Sequence, residues 1–227
     1  MRRSEPGWHG PGEQAAPGDR PWAYRRHLPI VDTVTPEQHA AALHPLLAAR
    51  RSPWSFDKDA ELSDRALAAV LEAARWSASS GNTQPWRFLV GRRGDAVFEK
   101  IYGTLRPRNR TWAGNAGALL LTVYDTGGDR PLRHAQYDVG QAMAHLSIQA
   151  GHEGLVVHQM AGFDPEAARE AFGIPADFVP FTVVAIGHLG DPDTLPEDLA
   201  ARQARPRQRR PLAETAFTEW GVPLDVG

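Results

Sequence analysis

The chain contains no cysteine. That absence removes thiol nucleophiles, CxxC redox pairs, disulfides and zinc–thiolate sites together, so any redox chemistry has to be carried by a bound cofactor. No apolar run approaches the roughly eighteen residues that a membrane helix requires. The first residues, Met1-Arg2-Arg3-Ser4-Glu5-Pro6-Gly7, are basic at the start but have no apolar segment behind them, so they do not read as a signal peptide. A cytoplasmic protein without a membrane partner is expected. Charge of one sign is lacking too: 25 basic residues face 27 acidic ones, a formal net charge of −2. That balance gives no reason to expect nucleic acid as a partner. There is no GxGxxG after a strand, no GxxxxGK[ST] loop, no GxSxG elbow and no HExxH helix, which disfavours nucleotide-phosphate loops, serine hydrolases and zincins. His134, His145, His152 and His158 stand in no His-plus-carboxylate cluster and read as helix-surface or core histidines, with no metal site.

What is present suits one substantial core. At 227 residues the chain can bury roughly 70% of the surface its unfolded form exposes. Its 42% hydrophobic and 23% charged residues are ordinary for a globular protein. Residues 1–30 differ: Pro6, Gly7, Gly10, Pro11, Gly12, Pro17, Gly18 and Pro21 interrupt every periodic pattern. Such a stretch buries too little apolar surface to offset its ordering entropy. It reads as a disordered extension or an overcalled start, with the folded body at 31–227. There, Thr35-Pro36 looks like a helix start, followed by Ala40, Leu43, Leu46 and Leu47 at helical spacing. Ser63-Asp64 opens a second helix with Leu67, Val70, Leu71 and Ala74 on one face, and Pro85 forbids continuation beyond the polar run from Ser77 to Gln84. Strands are expected at Phe88–Val90, Ala118–Tyr124, Leu155–Val157 and Phe181–Gly187; helices at Tyr137–Gly151 and from Asp164 to Phe172. The pattern is that of an α+β domain in two or three layers.

Three separated segments have the chemistry to hold a phosphorylated, planar cofactor. Arg50-Arg51-Ser52 offers two guanidinium forks and a hydroxyl that match phosphate oxygens, although adjacent arginines at a helix end are also favoured by the helix dipole alone. Ser77-Ala78-Ser79-Ser80-Gly81-Asn82-Thr83-Gln84-Pro85-Trp86 places small polar side chains beside a glycine, which lets backbone N–H groups approach a ligand; a polar helix-ending loop has the same composition. Arg202, Arg205, Arg207, Arg209 and Arg210 before Pro211 form a basic tail that, on composition alone, reads as a solvated run or a generic anion patch.

In this order the segments resemble the nitroreductase family, with its RRS-x-x-x-F opening, its S-S-x-N-x-Q-P-W loop and its C-terminal arginine pair before a proline. Asn109-Arg110-Thr111-Trp112-Ala113, Tyr137-Asp138-Val139-Gly140-Gln141-Ala142 and the run from Gly154-Leu155 to Phe163 extend the resemblance across the body. The resemblance implies an α+β fold with a mainly antiparallel sheet flanked by helices, an intertwined homodimer, and one FMN at each of two interfacial sites. It implies that Arg50, Arg51 and Ser52, with Arg207 and Arg209, hold the phosphate and ribityl chain, and that Asn109 bonds the polar edge of the ring. Ala78, Ser79, Ser80 and Asn82 match the loop that the partner subunit contributes. The Ala161–Gly162 stretch matches the backbone whose N–H points at flavin N5. The implied activity is ping-pong transfer of hydride from NAD(P)H to a small electron-poor acceptor. This chain departs from the pattern at Trp54, where family members often carry Arg or Lys. A neutral indole there is expected to lower the flavin potential, unless another cation such as Arg110 substitutes.

Overall fold

Apolar runs without alternation can be buried on both faces, and Ala118-Leu119-Leu120-Leu121-Thr122-Val123 is such a run. In the computed structural model, which describes residues 43–225, it forms the inner strand β2 (Ala118–Asp125) of a four-stranded sheet. With β1 (Trp86–Arg92), β3 (Val156–Met160) and β4 (Phe178–Gly187) the order is β1-β2-β4-β3, and every neighbouring pair is antiparallel. Strand β4 begins three residues earlier than its apolar pattern suggests. The added residues include Pro180, which lies where the β2–β4 register slips between Thr122 and Val123, a place where a missing N–H is tolerated.

The two-residue side-chain period of a strand divides the core in two. Ala118, Leu120, Val157, Val184 and Ile186 face α2 (Asp64–Arg75) and α5 (Ala135–His152). Leu119, Leu121, Val123, Met160, Val183 and Ala185 face α3 (Ala96–Thr104), α4 (Pro107–Ala113) and α6 (Pro165–Phe172). The result is three layers, with helices on both sides of the sheet. Local signals fix the helix ends: the Ser63 hydroxyl accepts from the Ala66 N–H at 3.2 Å, and the Asp164 carboxylate accepts from Glu166 and Ala167. Gly173, at φ 61°, ends α6 in the left-handed conformation that costs glycine least.

One expectation is corrected. A helix running through Leu43 to Leu47 is replaced by a short α1 (Pro45–Ala49), with Leu43 and His44 outside it. Pro45 occupies the first helical position, where its missing N–H costs nothing, and the His44 imidazole caps Leu46 N–H at 3.3 Å. The helix start expected at Thr35-Pro36, the extension 1–30 and the boundary at residue 31 lie outside the described residues. Beyond β4 the chain forms α7 (Glu197–Gln203) and a hairpin of β5 (Phe217–Glu219) and β6 (Val222–Pro223). Among the described residues, no helix is long and apolar enough to cross a membrane, and no group of three His, Asp or Glu side chains could hold a metal ion.

Candidate functional site

The end of α1 delivers Arg50, Arg51 and Ser52, and the segment after α7 returns across 150 residues of sequence to clasp them. The Arg207 guanidinium donates to the Arg50 carbonyl at 2.8 Å and to the Ala48 carbonyl, two of the acceptors a helix C-terminus leaves open. Arg51 donates to the Arg205 carbonyl at 2.9 Å. Gln203 accepts from the N–H groups of Trp54 and Ser55 at 2.7 and 3.1 Å and donates to the Ser55 hydroxyl at 2.7 Å. Arg50 in turn donates to the Ser52 hydroxyl at 3.3 Å. Four residues expected to share a phosphate (Arg50, Arg51, Ser52 and Arg207) are therefore joined by one hydrogen-bonded clasp. Arg209 belongs to the same electrostatic group: burial first, then the Arg209 and Arg207 charges, hold the Arg50 pKa below its ordinary value. None of Arg50, Arg51 and Arg209 is in an ion pair among the described residues. Like charges gathered this way repel, and a bound anion relieves the repulsion.

A second group forms where β3 runs into α4. The Asn109 side chain donates to the Gly162 carbonyl at 2.9 Å, and the Arg106 N–H donates to the same oxygen at 2.9 Å. A Cβ at position 162 would sit 2.6 Å from the Asn109 amide nitrogen, so the Asn109 side chain would have to move to admit one. Asn109 and Gly162 are thus brought together as one polar edge, with Ala161 next to Gly162 in the chain. Arg110, the cation considered as a stand-in for the family's Arg or Lys, is engaged elsewhere: it donates to the Leu105 carbonyl at 2.8 Å and to the Gly103 carbonyl, closing the end of α3.

Trp54 links the two groups. Its ring lies 5.4 Å from His158 of β3, and His158 lies 4.6 Å from Trp112 of α4. The Arg202 guanidinium lies 5.7 Å from the centroid of the Trp54 ring, a contact no local sequence signal announces. His158 Nδ1 meets the Pro53 carbonyl at 2.9 Å, which pins the segment after Ser52 to the strand leading to Gly162. Desolvation holds the His158 pKa below the ordinary imidazole value of 6.5, against smaller opposing effects from the Pro53 and Ser52 carbonyls. The unfolded chain therefore takes up this proton first as pH falls. The stability contributed by the neutral, buried imidazole is complete above 6.5 and is lost as pH drops through the folded value. Urea unfolding between about pH 7.5 and 5 is expected to show this decline, and His158→Gln to show a shallower one. Equal slopes for the two proteins would mean that His158 carries no such linkage.

The third expected group stays apart within one chain. Ala78, Ser79, Ser80 and Asn82 lie in an exposed loop after α2, and among the described residues no hydrogen bond or ring contact joins them to the arginine clasp or to Asn109–Gly162. The loop is bound to α5 instead: Ser80 N–H donates to the Asp138 carboxylate at 3.1 Å. Sequence reasoning did not assign roles to Asp138 or Gln203, whose partners lie 58 and about 148 positions away.

Comparison with known proteins matches this arrangement. The model described as the Nitroreductase family covers residues 47–188, more than half of the chain, from the helix before the arginine pair to the end of β4. A 15.4 kDa uncharacterized protein of Mycolicibacterium smegmatis is 47% identical over 148 residues, covering 61% of this chain and 99% of its own. A Streptomyces coelicolor protein with the proposed assignment NADH dehydrogenase/NAD(P)H nitroreductase is 29% identical over 164 residues, covering 63% of this chain and 80% of its own. Among solved structures, an oxidoreductase containing FMN superposes with a TM-score of 0.75 at 33% identity, over 80% of this chain and 93% of that one. With the sheet order, the three-layer packing and the clasped arginines, these matches lead to one conclusion: the chain belongs to the nitroreductase family.

Proposed function

We propose that this chain is an FMN-dependent oxidoreductase, acting as a homodimer, that carries hydride from NAD(P)H to a small electron-poor acceptor such as a nitroaromatic, a quinone or an activated alkene. The observation that carries the reading is the convergence of Arg50, Arg51, Ser52, Arg207 and Arg209 into one cationic group. These donors fit an FMN phosphate, whose two or so negative charges need several charge-assisted hydrogen bonds. The Asn109–Gly162 edge fits the polar side of a flavin ring, because glycine lets the backbone approach closely. The chemistry supplied by the cofactor when bound is two-electron transfer in a ping-pong cycle, which a chain without cysteine cannot perform alone.

The chain's own residues bind and orient. Arg50, Arg51 and Arg209 neutralise the phosphate, and Arg207 holds the α1 terminus in the shape that presents them. Asn109 and the Ala161–Gly162 backbone fix the ring's polar edge, and Trp54, with the Arg202 guanidinium against its ring, stands where relatives of this family often place a cation. The separation of the Ser79–Asn82 loop from these groups supports its use against the cofactor of a second copy. So does the hairpin β5–β6, which exposes Phe217, Val222 and Leu224, with Trp220 at its tip 96% exposed. An apolar surface of this kind suits a protein partner better than water. The FMN-containing relative and the NAD(P)H assignment of the Streptomyces coelicolor protein support the cofactor and the electron donor.

An absorbance spectrum of the purified protein, before and after anaerobic addition of NADPH or NADH, tests the reading. The expected result is a flavin spectrum that bleaches on addition of one of the two. A flavin spectrum that persists would leave a flavin carrier or sensor, and no flavin after adding FMN would refute the assignment.

A further inference from the structure

The loop that follows α2 has a backbone that needs support. Gly81, Asn82 and Gln84 have φ of 57°, 57° and 48°, all left-handed. That conformation is disfavoured for glutamine and better tolerated by asparagine, whose short polar side chain can bond locally. It persists only where the surroundings over-determine it. Inside the loop the Ser79 hydroxyl accepts from Gln84 N–H at 3.0 Å, and the Gln84 amide reaches Asn82 Oδ1 at 3.2 Å. These bonds shape the loop but do not fix it to the body.

The loop is attached at two places: the Arg87 guanidinium of β1 donates to the Gln84 carbonyl at 3.0 Å, and α5 holds the other end. Asp138 is only 2% exposed, and its carboxylate accepts the Ser80 N–H at 3.1 Å. It stands in the first turn of an 18-residue helix, where the helix dipole favours a negative charge. It also lines a cavity of about 230 Å³ together with Ser80, Thr83, Leu132, Arg133 and His134. Among the described residues no ion pair offsets the burial of this carboxylate. A buried carboxylate is costly unless its hydrogen bonds matter, and an apolar or amide side chain would fill the same space.

We propose that Asp138 is a positioning residue. It locks Ser80 to the α5 terminus and so holds the strained Ser79–Gln84 loop in the shape that meets the flavin of a second copy, a role that rests on the FMN reading above. The carboxylate acts through the loop, whose Ser80 N–H donates to it. Its loss acts on binding through loop order, and an amide at the same position restores most of the effect because its oxygen still accepts from Ser80.

The test combines hydrogen–deuterium exchange of residues 79–84 with FMN titration of the apoprotein, for the wild type, Asp138→Ala and Asp138→Asn. In Asp138→Ala, exchange in the loop is expected to quicken by about tenfold or more and FMN affinity to fall by about tenfold, the size of one lost charge-assisted hydrogen bond. Asp138→Asn is expected to stay within about threefold of wild type in both, because a neutral bond replaces a charge-assisted one. An Asp138→Ala protein with wild-type exchange or wild-type affinity would overturn the proposal, as would an equal loss in both variants with the loop unchanged. If Asp138→Ala does not fold, Asp138→Glu keeps the charge but displaces the acceptor, and the cavity admits its extra methylene. The same losses are then expected, and wild-type behaviour overturns the proposal. A wild type that binds no FMN would refute the cofactor reading instead, and exchange alone would then decide whether Asp138 holds the loop.

Discussion

Alanine at both Arg207 and Arg209 is expected to weaken FMN binding by tens- to hundreds-fold, on the order of 2–3 kcal/mol, as read by titration of the apoprotein. The two arginines should contribute differently. Arg209 is exposed, and its described bond is to the neighbouring Gln208 carbonyl at 2.8 Å, so its removal subtracts charge and little structure. Without ligand, Arg209→Ala is expected to leave stability unchanged or slightly raised, because one source of repulsion on Arg50 is gone. Arg207 also closes the α1 terminus through the Ala48 and Arg50 carbonyls, so Arg207→Ala should lose stability and affinity together. Inorganic phosphate should raise the melting temperature of the wild type and do so less in the double variant, since an anion that binds only the folded state stabilises it. A double variant with unchanged FMN affinity would sink the phosphate assignment.

How much of this was legible in the sequence depends on the range over which each signal acts. β1, β2 and β4, and the α2, α5 and α6 helices, follow from patterns contained within their own residues: apolar runs, three-to-four spacing, Ser63 and Asp164 as caps and Gly173 as a stop. α3 has a cap of the same kind in Asp95 but a body whose pattern is ambiguous. Five of its nine residues, Val97, Phe98, Ile101, Tyr102 and Thr104, are β-branched or aromatic, and these suit a strand as well as a helix. What makes it helical is packing: Phe98 and Ile101 are buried against the sheet, and the Asp95 carboxylate caps Phe98 N–H at 2.6 Å. The strands of the C-terminal hairpin are three and two residues long, too short for any period to show.

The site divides along the same line. The residues that would touch the cofactor stand in short motifs whose order carries the family resemblance, so Arg50, Arg51, Ser52, Asn109, Gly162, Arg207 and Arg209 could be named before any contact was known. The residues that hold them could not. Gln203 meets Trp54 and Ser55, Asp138 meets Ser80, and His158 meets Pro53 only through the fold, across separations of 58 to 149 positions. Gln203 stands in no motif, and although Asp138 and His158 lie in segments that carry the resemblance, nothing in those segments points to the partner each one meets. Trp54 shows the limit from the other side: its departure from the family pattern was visible, but its setting between His158 and Arg202 was not.

The largest expected effect on stability belongs to Trp112. Its side chain is 1% exposed, lies nearly parallel to Phe56 at 5.9 Å and meets His158 at 4.6 Å, so it fills the space between the start of the clasp, β3 and α4. Truncation of a buried tryptophan to alanine costs about 3–5 kcal/mol through lost burial and the cavity left behind. Against a total of roughly 5–15 kcal/mol for an ordinary domain, that is a large fraction. Trp112→Ala is therefore expected to lower the urea midpoint sharply. It should also weaken FMN binding, because Asn109 lies one turn earlier on α4 and His158 loses its support. Trp112→Phe separates packing from polarity. The indole Nε1 is buried without a hydrogen-bond partner among the described residues, and an orphaned donor of this kind costs about 1–3 kcal/mol. Phenylalanine removes that donor while keeping most of the ring, so the two changes oppose each other and the net loss is expected to stay below about 2 kcal/mol. If Trp112→Phe instead destabilises as much as Trp112→Ala, the Nε1–H has a partner that supports the fold, and its place between Phe56 and His158 is fixed by that bond rather than by packing.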